Sequence, residues 1–201
     1  MKHALIIAHP SATSFTATMA KAYAGALRAQ GHDVLERDLY RMDFDPRLAA
    51  DELPGPGVPV PRPDVAAERA LLADVSAFAF FYPVWFNAPP AMLKGYIDRV
   101  FGMGFGYAMG PHGNAPLLAG RSLISFSSSG APKRWMEETG AWDALRKLVD
   151  EHFAAVCGLA VLDHVHFGAI APNITEESVE ACADEVRAVA NRRFGPGPDA
   201  D

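Results

Sequence analysis

The chain has 201 residues, half of them apolar, with 24 acidic against 18 basic side chains and a formal net charge of −6. That length supports one domain with a full hydrophobic core, residues 1–194, followed by a tail at 195–201 expected to be disordered. The lack of any basic run excludes a nucleic-acid groove or an anionic-membrane patch, and no apolar run has the length of a membrane span, which leaves a small, roughly neutral substrate.

The run ALIIA at residues 4–8 is continuously apolar and bounded by turn residues, the pattern of a strand buried on both faces. It is too short for the core of a signal peptide, so a cytoplasmic protein is expected. Phe15, Met19, Tyr23 and Leu27 then recur at helical spacing, and Gly31 ends that helix. DVLER from Asp33 reads as a second strand. Residues 39–63 have no sustained period and include PGPGVPVPRP, whose prolines favour an extended, partly polyproline course. A loop of this kind is functional, mobile or a tolerated surface insertion.

Asp64 is a good N-cap for a helix running to about residue 74. AFAFFYPV from Ala77 is a third buried strand, stopped by Pro83. PPAMLKGYIDRVF follows as an amphipathic helix with proline in its first turn and Leu93, Tyr96, Ile97 and Val100 on one face. RSLISFSS from Arg121 is a fourth strand, and residues 135–156 are largely helical with a break near Gly140. LAVLDHVHF from Leu159 is a fifth strand, and Val179, Cys182, Val186 and Val189 lay out a last amphipathic helix. Cys157 and Cys182 lack Cys-x-x-Cys spacing and read as two buried thiols in a reducing compartment, so no metal site is assigned.

Alternating apolar strands and helices predict an α/β fold: a flavodoxin-like three-layer sandwich around a five-stranded parallel sheet in the order 2-1-3-4-5. Ligands of such sheets collect beyond the carboxyl ends of strands 1, 3 and 4, here HPSATSFT, YPVWFNAPP and SFSSSGAP. The first loop sets Ser11, Thr13, Ser14 and Thr16 at a helix N-terminus, where free N–H groups and the helix dipole favour a phosphate. The same residues also serve as a plain cap through Ser14 or Thr13, and His9 reads equally as a phosphate ligand or a turn histidine. A Ser-His nucleophile has no G-x-S-x-G elbow to support it.

The second loop sets Trp85 and Phe86 between Pro83 and Pro89, as a face for a flat ring or as ordinary packing. The third supplies small residues that let backbone approach a ring, or form a plain turn. Together the loops suit a phosphate-bearing ligand with a flat aromatic ring, most simply a flavin nucleotide.

The segments ALIIAHPSATSFTATM, DLYRMDFDP, PPAMLKGYIDRVFGMGFGY and SFSSSGAP, in this order, resemble the NAD(P)H:quinone oxidoreductase family of flavodoxin-like flavoproteins, over residues 1–167. The resemblance implies a tightly bound flavin, FAD in preference to FMN, with NAD(P)H as hydride donor and a quinone or similar flat molecule as acceptor. It further implies ping-pong hydride transfer in a homodimer whose sites lie at the interface. His9, Ser14, Phe15 and Thr16 match the family's flavin-phosphate turn. Pro83, Val84, Trp85, Phe86 and Asn87 match the segment along the isoalloxazine, and Ser128, Ser129 and Gly130 match the loop at its other edge. Phe105 and Tyr107 are the aromatics expected to close the partner's site, with core packing as the other reading.

The chain departs from the family pattern in two places. Trp85 and Phe86 come one position early, and KRWMEETGAWDAL replaces the stretch in which better-known relatives carry a tyrosine and a histidine. Trp135 and Trp142 fall near those places and cannot relay a proton in the same way, so no catalytic side chain is assigned. The shifted aromatics keep an azo- or nitro-reductase of the same fold as an alternative activity. A flavin-binding regulatory subunit of a potassium efflux system is a second alternative, and a one-electron flavodoxin fits the mild charge poorly.

Overall fold

A computed structural model describes residues 1–53, 60–111 and 113–195, so the PGPGVP half of the proline-rich segment and the tail at 196–201 lie outside the described residues. The strands are β1 (Lys2–Ile7), β2 (Asp33–Asp38), β3 (Ala77–Pro83), β4 (Tyr107–Gly110), β5 (Gly113–Pro116), β6 (Ser122–Ser128) and β7 (Ala160–Phe167). Five of them form a parallel sheet in the order β2-β1-β3-β6-β7, and β4 and β5 pair as a separate antiparallel hairpin. The layout matches the expected 2-1-3-4-5, corrected only in that the last two strands are the sixth and seventh in the chain. The β4–β5 hairpin, which precedes β6 in the chain, was hidden by its composition, since YAMG and GNAP lack the β-branched residues that mark strands.

The helices are α1 (Phe15–Ala29), α2 (Pro63–Leu71), α3 (Ala91–Val100), α4 (Lys133–Glu138), α5 (Ala141–Arg146), α6 (Ala154–Cys157) and α7 (Glu176–Phe194). A π-helical segment, Lys147–Phe153, joins α5 to α6. Gly140 adopts φ +73° between α4 and α5, which is the expected break. Successive side chains of a strand face opposite ways, and both faces of β1 are buried. Ala4 and Ile6 therefore pack with Phe78, Phe80, Tyr96 and Val149, whereas Leu5 and Ile7 pack with Tyr23, Leu27, Phe81 and Val186. These two apolar layers lie on opposite faces of the sheet, with α1 and α7 over one and α3 with the α5–α6 stretch over the other.

The described part of the long loop is tied down. Arg99, almost fully buried on α3, donates to Glu52 Oε1 at 2.9 Å, Asp64 Oδ2 at 2.8 Å and the Asp45 carbonyl at 2.7 Å, and its guanidinium lies 5.2 Å from the Phe44 ring centroid. Asp64 is thus not the cap of α2: Arg62 occupies that position with no side-chain cap bond, and the Asp64 carboxylate serves Arg99. Its carboxyl is held below the usual range chiefly by that hydrogen bond. A second buried cluster joins β2, α2 and α3, where Glu68 accepts from Arg37 Nε at 2.8 Å and from Tyr96 Oη at 2.6 Å. Cys157 is buried as expected, with burial pushing its thiol up to about 12, while Cys182 is only half-buried.

Candidate functional site

Parallel register brings the carboxyl ends of β1, β3, β6 and β7 side by side, and backbone bonds continue past the strands. Ala8 N donates to the Phe81 carbonyl at 2.9 Å, Val84 N to Ser128 at 2.7 Å and Ser129 N to Phe167 at 2.9 Å. The three expected loops consequently form one continuous edge. A small cavity of about 10 Å³ under it is lined by Phe15, Thr16, Ser127, Ser128 and Phe167 among others, so the first and third loops converge.

In the first loop Ser14 is the N-cap of α1 and accepts from Ala17 N at 3.2 Å, which leaves its own hydroxyl proton free to donate. The N–H groups of Phe15 and Thr16 have no partner among the described residues, and the first turn of α1 carries no acidic side chain. No carboxylate of that first turn therefore compensates the positive end of the helix dipole. Ser11 N donates to His9 Nδ1 at 3.0 Å, which puts the proton of the neutral ring on Nε2; burial lowers the imidazole below its ordinary range. Arg41 donates to the Pro10 carbonyl, adding a cation beside the turn that the sequence reading did not include.

In the second loop, Trp85 and Ala88 exchange N–H···O bonds of 3.0 and 3.1 Å around a two-residue tip. Both tip residues lie in the left-handed region, Phe86 at φ +50° and Asn87 at φ +58°. That is the geometry of a type I′ hairpin turn, which asparagine tolerates and phenylalanine does not favour. The Phe86 side chain projects fully into solvent, and the half-exposed Trp85 ring faces His9 at 6.0 Å between centroids. Pro83 closes β3 and Val84 bonds β6, so only Trp85, Phe86 and Asn87 rise above the edge.

In the third loop Ser128 and Ser129 are buried, and an added Cβ at Gly130 would meet only the Ile170 carbonyl at 3.8 Å. The protein's own packing does not require glycine there. Behind the loop lies a polar cluster that sequence reasoning missed. Ser127 Oγ lies 2.8 Å from both His164 Nε2 and His166 Nδ1, Ser129 Oγ lies 2.9 Å from His166 Nε2, and His164 Nδ1 lies 2.7 Å from Asp150 Oδ2. The register that pairs Ser125 with His164 and Ser127 with His166 puts these side chains on one face of the sheet. Their signal is a period of two in each strand, serines at 125, 127 and 129 and histidines at 164 and 166.

Asp150, His164 and Ser127 have the connectivity of a hydrolase triad, yet the Ser127 hydroxyl is sealed between two imidazoles. No substrate carbonyl reaches it. Burial first, then the adjacent His164 and Lys133, lowers His166 to about 4. Trp142 packs against His164 and His166 with ring centroids 4.8 and 5.3 Å away, while Trp135 is exposed. Phe105 packs edge-on against Phe101, and Tyr107 opens the β4–β5 hairpin and shares a cavity with Pro89 of the second loop. That cavity, of about 300 Å³, is also lined by Ile97, Phe101, Leu148 and Phe153.

The edge thus presents a donor-rich helix N-terminus at 11–16, exposed aromatics at 85–86 and a small polar loop at 128–130. The donor set at the turn, two free amides and several hydroxyls on a helix whose first turn carries no carboxylate, fits a phosphate group.

A family model described as the flavodoxin-like fold matches residues 1–190. An NAD(P)H oxidoreductase of Haemophilus influenzae, itself described as uncharacterized, is 30% identical over 171 residues that cover 85% of each chain. The solved structure of an NAD(P)H:quinone oxidoreductase from Methanothermobacter marburgensis superposes with a TM-score of 0.81 at 25% identity, covering 96% of both chains. An FMN-dependent NADH-azoreductase from Bacillus anthracis, solved in complex with FMN, has a TM-score of 0.70 at 16% identity and covers 96% of this chain and 98% of its own, a likeness of fold.

Proposed function

The chain belongs to the family of flavodoxin-like NAD(P)H oxidoreductases, and from that membership we propose that it is a flavin-dependent NAD(P)H dehydrogenase that reduces quinones. The observation that carries this reading is the pair of unpartnered amides, Phe15 and Thr16, at an acid-free helix N-terminus beside Trp85 and the 128–130 loop. In this assignment the Phe15 and Thr16 amides and the Ser14 and His9 donors bind the flavin phosphate. Pro83, Val84, Trp85, Phe86 and Asn87 flank the ring, and Ser128, Ser129 and Gly130 orient its far edge. The flavin, when bound, supplies two-electron hydride chemistry between NAD(P)H and the acceptor in ping-pong order. The chain's own part is to position the ring, keep the turn positively polarised and leave one ring face open to a flat substrate.

FAD is the proposed nucleotide, with FMN, as in the azoreductase complex, as the alternative. Residues 1–194 are proposed to act as one domain in a cytoplasmic homodimer. No described helix is long and apolar enough to cross a membrane. An azo- or nitro-reductase activity is the second reading, favoured by the full exposure of Phe86 above the ring face. The deciding experiment is the visible spectrum of the purified chain, followed by heat release, chromatography and NAD(P)H oxidation with menadione or an azo dye. A released flavin with menadione turnover supports the assignment and identifies the nucleotide. A protein that binds flavin yet turns over neither acceptor points to the regulatory alternative, and one that binds neither FAD nor FMN refutes the reading.

A further inference from the structure

Asp150, His164, Ser127, His166 and Ser129 form an unbroken file of hydrogen-bonding atoms through the sheet edge, every step between 2.7 and 2.9 Å. All five side chains are nearly fully buried. At one end, a cavity of about 340 Å³ bordered by Trp142, Arg146, Asp150, Asp163 and His164 adjoins the carboxylate and the first imidazole. At the other end Ser129 Oγ reaches the Ala131 carbonyl at 2.9 Å, inside the loop assigned to the ring's edge.

The file has two complete hydrogen-bonded arrangements. In one, His164 carries protons on both nitrogens and donates to Asp150 and Ser127. Ser127 then donates to His166 Nδ1, His166 Nε2–H to Ser129, and Ser129 to the Ala131 carbonyl. In the other, His164 keeps only its Nδ1 proton, Ser127 donates to His164 Nε2, His166 Nδ1–H to Ser127, and Ser129 to His166 Nε2. The two arrangements differ by one proton, and each satisfies every hydroxyl and ring nitrogen in the file.

We propose that this file is a proton path: the His164–Asp150 pair stores one proton and discharges it through Ser127 and His166 to Ser129 Oγ, which releases it to the acceptor. The inference rests on the proposed function for its endpoint. A quinone that accepts a hydride gains two electrons and one proton, and it becomes a hydroquinone only with a further proton. NAD(P)H does not supply that proton, so it comes from solvent. On discharge the Ser129 hydroxyl proton leaves and is replaced from His166 Nε2, which is replaced through Nδ1 from Ser127, which is replaced from His164 Nε2. Rotation of the two hydroxyls and tautomer exchange of the imidazoles, with a proton entering from the cavity, restore the charged arrangement.

His166 stays neutral in both states, in keeping with its lowered basicity. The other groups facing the file are Tyr82 of β3, whose hydroxyl stands 3.5 Å from His164 Nε2, Arg146, 3.8 Å from the Asp150 carboxylate, Asp163 of β7 and Lys133 of α4. His164, Ser127 and His166 are positioning residues that act through Ser129.

The test begins with nitrogen-15 histidine NMR on the full chain with no flavin added. The His166 proton is expected to move from Nε2 to Nδ1 as His164 loses its charge, and Ser127→Ala is expected to abolish that coupling. Stopped-flow on flavin-loaded protein then separates the two half-reactions. Ser127→Ala and Asp150→Asn are expected to leave reduction by NAD(P)H unchanged and to slow quinone reduction on the order of a hundredfold, with a larger solvent isotope effect. A His166 tautomer that ignores the charge on His164 overturns the proposal, and so does equal slowing of both half-reactions. If no flavin binds, the functional reading fails and the delivery step with it, while the NMR still shows whether the file carries a proton.

Discussion

Asn87 Nδ2 donates to the Ala141 carbonyl at 3.0 Å, which pins the tip of the β3–α3 loop to the first residue of the helix that carries Trp142. This bond stabilises a turn whose other tip residue, Phe86, has φ +50° with its ring in solvent. A bulky side chain in that conformation costs about 1–2 kcal/mol and gains nothing from burial. Phe86→Gly is therefore expected to raise stability by about 1 kcal/mol in urea titrations. Binding of a flat acceptor is expected to weaken in the same variant, visible as a raised KM for menadione. A stability loss would show that the strain account is wrong.

Ser14→Asp separates cap from ligand. Aspartate caps a helix as well as serine does and complements the dipole, so the fold is expected to be unharmed or slightly stabilised. A carboxylate among the phosphate donors repels a bound phosphate, so the variant is expected to purify without flavin. Circular dichroism and the visible spectrum check the two halves separately, and retention of a full complement of flavin would remove the phosphate from this turn.

Arg37→Met leaves the almost fully buried Glu68 carboxylate with only Tyr96 Oη as a strong donor. Removing one partner of a buried pair costs about 3–5 kcal/mol. Arg37→Met combined with Glu68→Gln is expected to regain a large part of that loss in thermal unfolding, because the stranded charge is gone. Additive losses in the double variant would argue that packing, not charge, holds β2 to α2.

His3, at the start of the sheet, is fully buried against Phe194, His32 and Tyr23, and neither ring nitrogen has a partner among the described residues. Burial chiefly, with nearby His32, lowers it from 6.5 to about 4. Between those values the unfolded chain takes up a proton that the folded chain refuses, so stability falls as pH falls through that window. The effect is at most about 3 kcal/mol for this group. His166 acts in the same direction. His3→Phe is expected to flatten the acid limb of a stability-against-pH curve, and an unchanged limb would exclude His3 as its source.

The sheet was legible because β1 and β3 are written as apolar runs that only a doubly covered strand tolerates. The three loops followed from topology, since parallel strands deliver their carboxyl ends to one edge. What a linear reading could not see is register. His164 and His166 meet Ser125, Ser127 and Ser129 only once β6 and β7 are aligned, across about 40 residues of intervening chain. The Asp64 cap failed for a related reason: Arg99, 35 residues downstream, claims its carboxylate. Local propensity assigned that residue correctly by type and wrongly by partner.

Lys147–Phe153 is wound with more residues per turn than the helix on either side, so it amounts to an extra residue let into α5–α6. Losing one residue there would return the helix to ordinary pitch with its two flanks nearly in phase, because the wider winding already absorbs the added residue. Leu145 and Ala154, which bracket the segment and are both in the core, would then keep their places, while Asp150, inside it, would be re-aimed and lose His164. Substitutions along this stretch can therefore be sampled one at a time, but a change of length cannot. The partner of His164 is encoded as much by a residue count as by the identity of the acid.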